Sequence, residues 1–163
     1  MKKHIISALV ANRPGVLAHI AGLFSARGFN IDSLAVGETE HPEFSRMTIV
    51  VAGDETILEQ VRKQLGKVID VVKVQDFSEV QHVARDLALI RVNAPVNRRG
   101  EIVELVDIFR ANIVDVGQNE LMIELAGGET KLEAFMGLLQ PYGIREVARS
   151  GRIALTRASH QPR

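Results

Sequence analysis

Apolar positions along this chain recur with two periods, and the two alternate in a fixed order. Residues 4–10 are apolar and β-prone. Residues 15–27 switch to a helical period. Leu17, Ile20, Ala21 and Phe24 stand at i, i+3, i+4 and i+7, and Gly28 closes the run. Residues 30–38 and 46–52 read as strands, the second with Met47, Ile49 and Val51 on one face. Between them Glu40-His41-Pro42-Glu43 makes a polar hairpin loop. Asp54 or Glu55 is placed to cap a second helix with Leu58, Val61 and Leu65 on its inner face. Residues 67–75 supply a last strand. The first half therefore predicts the order βαββαβ.

The second half repeats that order. Asn12-Arg13-Pro14-Gly15 follows the first strand, and Asn97-Arg98-Arg99-Gly100 stands 85 positions later. The helix after it repeats as well, with Ile102, Leu105, Val106 and Phe109 at the same spacing. Residues 52–59 and 126–133 agree at six of eight positions, and Asn30-Ile31 recurs as Asn112-Ile113. The offset between copies changes only in loops, at Arg27-Gly28-Phe29 and around Pro42, where length changes are tolerated. In the second copy Gly117-Gln118-Asn119 forms a tight hairpin. Such a unit closes as a four-stranded antiparallel sheet with two helices on one face, the first and third strands central. The fold class is thus α+β, two tandem ferredoxin-like domains. Residues 1–76 form the first, 77–85 a linker, 86–157 the second and 158–163 a frayed tail. Each half is near the size at which one core gives only marginal stability. Each sheet is also expected to leave one face bare and two edges unpaired. A homodimer is the expected remedy.

Composition narrows the function. The chain has 163 residues, 20 basic and 20 acidic, with a formal net charge of 0. A strong nucleic-acid or anionic-membrane binder needs excess positive charge. There is no cysteine, which excludes disulfides, thiolate metal sites and cysteine catalysis. The basic-then-apolar start resembles a signal peptide, but Asn12-Arg13 breaks the apolar run after Val10. No stretch approaches the roughly 18 apolar residues of a membrane span. A cytoplasmic protein is expected.

The first turn carries the candidate chemistry. A glycine between a strand end and a helix start leaves backbone N–H groups uncovered, and these with the helix dipole favour an anion. Asn12 offers a donor and an acceptor, so it suits a carboxylate or an ammonium. Val16, Leu17, Ile31 and Leu34 supply apolar lining, and Asn30 opens the second strand near a sheet edge where a partner can dock. Together these residues suit a small zwitterion with an aliphatic side chain, an amino acid. The alternative is purely structural: Asn12 caps the helix, while Pro14 and Gly15 shape its start. The second copy differs. Arg99 replaces proline and Glu101 follows Gly100, which would meet a carboxylate with an acidic side chain. That turn is expected to be structural or to bind something else.

The residues quoted so far resemble a known family. The first half looks like an ACT domain, a regulatory amino-acid-binding module. More closely, Asn12-Arg13-Pro14-Gly15-Val16-Leu17, residues 22–34, and Ser45-Arg46-Met47-Thr48 are similar to the acetolactate (acetohydroxyacid) synthase small-subunit family. Glu146-Val147-Ala148-Arg149-Ser150-Gly151 fits it too. The resemblance covers nearly the whole chain. It implies a non-catalytic regulatory subunit that activates a separate thiamine-diphosphate-dependent catalytic subunit. That partner is expected to carry the thiamine diphosphate, magnesium and FAD, and this chain no cofactor. It also implies feedback inhibition by valine in branched-chain amino-acid (valine, leucine and isoleucine) biosynthesis. Valine in this family lies between two ACT domains of a dimer. By matching position the implied ligand residues are Asn12, Gly15, Val16, Asn30 and Ile31. Asn12 stands where many ACT domains have aspartate.

Other constellations add little. The histidines at positions 4, 19, 41, 82 and 160 have no paired metal-ligand spacing. No phosphate-binding glycine loop is present, and Ser7 and Ser33 have no evident histidine–acid partners. Glu101, Glu104 and Asp107 read as a solvated helix face. Arg145, Arg149, Arg152 and Arg157 give the C-terminal end a basic excess, either an ordinary strand surface or a dock for an acidic partner. The same topology carries RNA elsewhere, but these central strands lack the exposed aromatics that this requires. An ACT-type sensor acting on a different partner is the remaining alternative.

Overall fold

The computed structural model describes residues 2–160. The chain divides into two compact units, one ending at Val83 and resuming at Arg152, the other running from Ala84 to Gly151.

In the first unit β1 (Lys3–Ala11), α1 (Val16–Arg27), β2 (Asn30–Glu38), β3 (Phe44–Ala52), α2 (Glu55–Gly66) and β4 (Val71–Asp76) follow the predicted order. The sheet order is β2-β3-β1-β4, all antiparallel, so β1 and β3 are central as expected. Alternation along these strands puts Ile6, Ala8 and Val10 beside Met47, Ile49 and Val51 on one face, under Ile20 and Phe24 of α1 and Leu58, Val61 and Leu65 of α2. Asp54 does cap α2, accepting the Ile57 N–H at 3.0 Å. Gly28 ends α1 in the left-handed region. The last strand begins later than residue 67, because Lys67 ends α2 in a helical conformation and Val68 is buried.

Two expectations about this unit are corrected. The face of the sheet away from the helices is not bare. Ser7, Thr48 and Val50 on it are buried, and the Gln75 side chain on that face donates to Thr156 Oγ1 at 2.8 Å. Thr156 belongs to β9 (Ile153–Thr156), placed by sequence in the second domain. Arg157 N–H likewise donates to the Gln81 carbonyl at 3.0 Å. The C-terminal segment therefore returns to the first unit. Nor are residues 77–85 a free connector: Phe77 is 2% exposed and β5 already begins at His82. Of the predicted tail, residues 161–163 lie outside the described residues, while His160 N–H donates to the Arg157 carbonyl.

In the second unit β5 (His82–Asn93), α3 (Arg99–Phe109), β6 (Asn112–Val116), β7 (Glu120–Gly127), α4 (Glu129–Leu139), a 3-10 turn (Gln140–Tyr142) and β8 (Ile144–Arg149) form a sheet of order β6-β7-β5-β8, with β9 also paired to β5. Its core has the same plan, from Ile90, Val92, Ile123 and Leu125 to Ile102, Leu132 and Phe135. Both units also share the glycine that ends the third strand. A Cβ on Gly53 would lie 2.8 Å from Ile57 Cβ, and one on Gly127 2.9 Å from Lys131 Cδ. At Gly53 the neighbour is a branched Cβ that cannot swing away, which gives that glycine its physical reason. Here the face away from the helices does stay open, with Leu87 and Leu89 substantially exposed.

The 146–151 segment closes this unit. Asp86 is buried, and its carboxylate accepts from Arg149 Nε at 2.9 Å and Nη2 at 2.6 Å, and from Ser150 Oγ at 3.1 Å. Part of the C-terminal basic excess is thus internal. Removing the guanidinium would strand a buried carboxylate, which costs about 3–5 kcal/mol in comparable cases. Arg149→Met is expected to lower unfolding stability by about 2–4 kcal/mol in urea titration, and Asp86→Asn with Arg149→Met by less than the sum of the two.

Candidate functional site

The helix after the first turn starts two residues later than Pro14 at its first position would give. Val16 opens α1, and Gly15 is the N-cap residue, with φ 87° in the left-handed region. That conformation favours glycine, and asparagine or aspartate come next. A Cβ built on Gly15 meets nothing within 4 Å. The space over the helix start is therefore open, and no side chain caps it. Val16 N–H donates to the Arg13 carbonyl at 3.4 Å, and the following N–H groups of the first helical turn keep their partial positive charge for whatever approaches.

Asn12 does not cap the helix. Its backbone N–H donates to the Glu43 carbonyl at 2.8 Å, and its side-chain amide donates to the Pro42 carbonyl at 3.0 Å. The turn is thereby tied to the β2–β3 loop. The amide's donor side is engaged there, which leaves Oδ1 as an acceptor suited to an ammonium. Arg13 leaves the site altogether and pairs with Asp70. Val16 is buried in the core below the turn, whereas Leu17 is exposed.

Asn30 and Ile31 do not join them within one copy. Asn30 pairs with Ala52 and Ile31 with Val51, at the end of β3, while Ala11 pairs with Phe44 at its start. Nine residues of strand separate these ends, about 27 Å at 3.4 Å per residue. The structure thus brings Asn12, Gly15 and Val16 together and holds Asn30 and Ile31 apart from them. β2 is, however, the edge of its sheet. An antiparallel pairing of two β2 edges would carry Asn30 of one copy to the end that bears the Asn12 turn of the other. Leu34 and Val36, both partly exposed on β2, flank that edge.

The second turn is filled from within. Arg99, in the place of Pro14, donates from Nε and Nη2 to the Ala94 carbonyl at 3.2 and 3.0 Å. Its Nη2 also reaches the carbonyls of Gly117 at 2.9 Å and Gln118 at 2.8 Å. Gly100 lies inside α3 without a positive φ. Arg99 thus fills the helix start of this turn from within. Sequence alone gave no sign that the arginine would gather three carbonyls from two loops. Arg99→Met is expected to cost about 2 kcal/mol of stability. It should also speed amide hydrogen exchange at Gly117–Asn119.

Among the described residues no helix is long and apolar enough to cross a membrane. Comparison with known proteins places the geometry in context. The family described as "AHAS small subunit-like ACT domain" matches residues 6–73, and that described as "Small subunit of acetolactate synthase" matches residues 85–158. The acetolactate synthase small subunit of Mycobacterium bovis is 51% identical over 156 residues, covering 96% of this chain and 93% of that protein. Its counterpart from Aquifex aeolicus is 48% identical over 158 residues, covering 96% and 82%. The crystal structure of the acetolactate synthase small subunit from Thermotoga maritima superposes with a TM-score of 0.88 at 42% identity, covering 98% of this chain and all of that one.

Proposed function

We propose a function from one premise: the chain belongs to the acetolactate synthase small-subunit family, a family of regulatory subunits. In our reading it binds valine between two copies of its first unit and transmits that binding to a separate catalytic subunit. The observation that carries this is the separation along β3. Asn12 and Gly15 sit at one end of that strand and Asn30 at the other, so the residues form one site only when a second copy completes it.

Each residue has a part. The uncovered N–H groups beyond Gly15 take the valine carboxylate, aided by the helix dipole. Asn12 Oδ1 accepts from the ammonium. Val16 and the partner copy's Ile31 and Asn30 close round the side chain, Ile31 with apolar surface and Asn30 with its amide. Thiamine diphosphate, magnesium and FAD belong to the catalytic subunit and supply the chemistry there. This chain supplies none of it and works in the cytoplasm alongside that subunit in branched-chain amino-acid synthesis.

Valine regulates because it favours one arrangement of the paired units. A ligand shifts an equilibrium only as far as its affinities for the two states differ, and about 1–3 kcal/mol is typical of such coupling. Without valine the same subunit activates its partner, and with valine that activation is withdrawn.

The test is reconstitution. Adding this protein to the purified catalytic subunit should raise acetolactate formation and make it valine-sensitive. No rise and no valine sensitivity would overturn the proposal. Calorimetry on the isolated chain should show saturable valine binding. Gly15→Asp should abolish it, because the new carboxylate occupies the place of the ligand's. Gly15→Asn, equal in shape and tolerant of the same backbone, should retain most of it. Equal loss in both variants would mean that the carboxylate lies elsewhere.

A further inference from the structure

Both units contain the same corner, and their sequences fill it differently. In the first, Ala11 N–H donates to the Asp70 carbonyl and Asn12 N–H to the Glu43 carbonyl, each at 2.8 Å. In the second, Asn93 N–H donates to the Gly143 carbonyl at 2.9 Å and Ala94 N–H to the Asn119 carbonyl at 2.7 Å. These paired bonds set Gly143 in the place of Asp70. The difference is chemical. The Asp70 carboxylate neutralises Arg13, whereas Gly143 has no side chain to offer.

The cations nevertheless remain. Arg98, the repeat counterpart of Arg13, lies over the Tyr142 ring with its guanidinium carbon 4.4 Å from the ring centroid. Its Nε is held by Glu101 at 3.2 Å. Arg145 adds a second guanidinium two residues beyond Gly143. Its Nε donates to Asn93 Oδ1 at 2.7 Å. Its terminal N–H groups pair with no carboxylate among the described residues. These side chains, with Pro95 and Asn119, line an open pocket of about 350 Å³.

We propose that this pocket binds a small-molecule oxyanion, a carboxylate or a phosphate, in the position that the Asp70 carboxylate takes in the first unit. The chemistry favours a planar fork. With Nε of Arg145 anchored, its two terminal nitrogens present parallel donors, the arrangement that guanidinium uses for carboxylate and phosphate. The anchor itself depends on glycine. Gly143 has φ 97°, and a Cβ there would lie 2.6 Å from Asn93 Nδ2. Only without that carbon can the Asn93 amide fold over the turn and orient Arg145. Pro95 and the Tyr142 ring give the ligand's body an apolar wall.

Calorimetry of the full chain with inorganic phosphate and, separately, with L-lactate tests this. At least one is expected to bind saturably at millimolar concentration, and which one does so separates the two anion classes. Arg145→Met should weaken that binding about tenfold or more, the effect of losing a charge-assisted pair. Its thermal melt should match the parent's, since Arg145 is exposed. Gly143→Ala should weaken binding too, and if that variant does not fold, Arg145→Met decides alone. Gly15→Asp should leave this binding intact, which separates it from the amino-acid site of the first unit. Three results would overturn the proposal: no binding of either anion, parent-like binding by Arg145→Met, or loss of binding in Gly15→Asp.

Discussion

The register between β1 and β3 sets where every candidate site residue of the first unit stands. Lys3 faces Ala52 and Ala11 faces Phe44, nine pairs with no interruption. Only this register buries Ile6, Ala8 and Val10 beside Met47, Ile49 and Val51 under the two helices. A slip of one residue would turn one strand's three toward the opposite face from the other's. The burial of that stripe, worth about 1.5–3 kcal/mol per large side chain, therefore enforces a geometry that the candidate site residues do not themselves maintain. It sends the open helix start to one end of the central strands and the start of β2 to the other.

Duplication kept the frame and changed the corners. Both units preserve the close glycine after the third strand and the paired backbone bonds where the first strand ends. What differs is the side chains that sit on this frame. At the helix start, the first unit has an uncovered left-handed glycine and the second an arginine clamped on three carbonyls. At the neighbouring corner the roles reverse, with an internal ion pair in the first unit and unneutralised arginine donors in the second. The core does not need these positions, so they were free to diverge.

Much of this was readable from the residues. The period of the apolar positions gave the order of the elements through β4, and again through β8. Asp54 as a cap and Gly28 as a stop followed from local chemistry. The different residues of the two turns were matched by different helix starts, one uncovered and one filled by arginine. The misses have physical causes. Gly15 takes the N-cap position because the backbone turns left-handed after Pro14, which no side-chain pattern announces. Asn12 serves the β2–β3 loop because that loop, distant in sequence, lies beside it. β9 is four residues long, too short to show a period. Its return to the first unit rests on contacts across some 80 residues, as in the side-chain bond between Gln75 and Thr156. Local propensity carries no information about such contacts.

That return has a consequence for how the molecule is made. The first unit takes up a segment that follows the second in sequence, so the second unit is in effect an insertion within it. On the ribosome the inserted unit emerges whole while its host still lacks a piece. The order of completion then runs opposite to the order of synthesis. The half that holds the candidate amino-acid site is therefore completed after the inserted one.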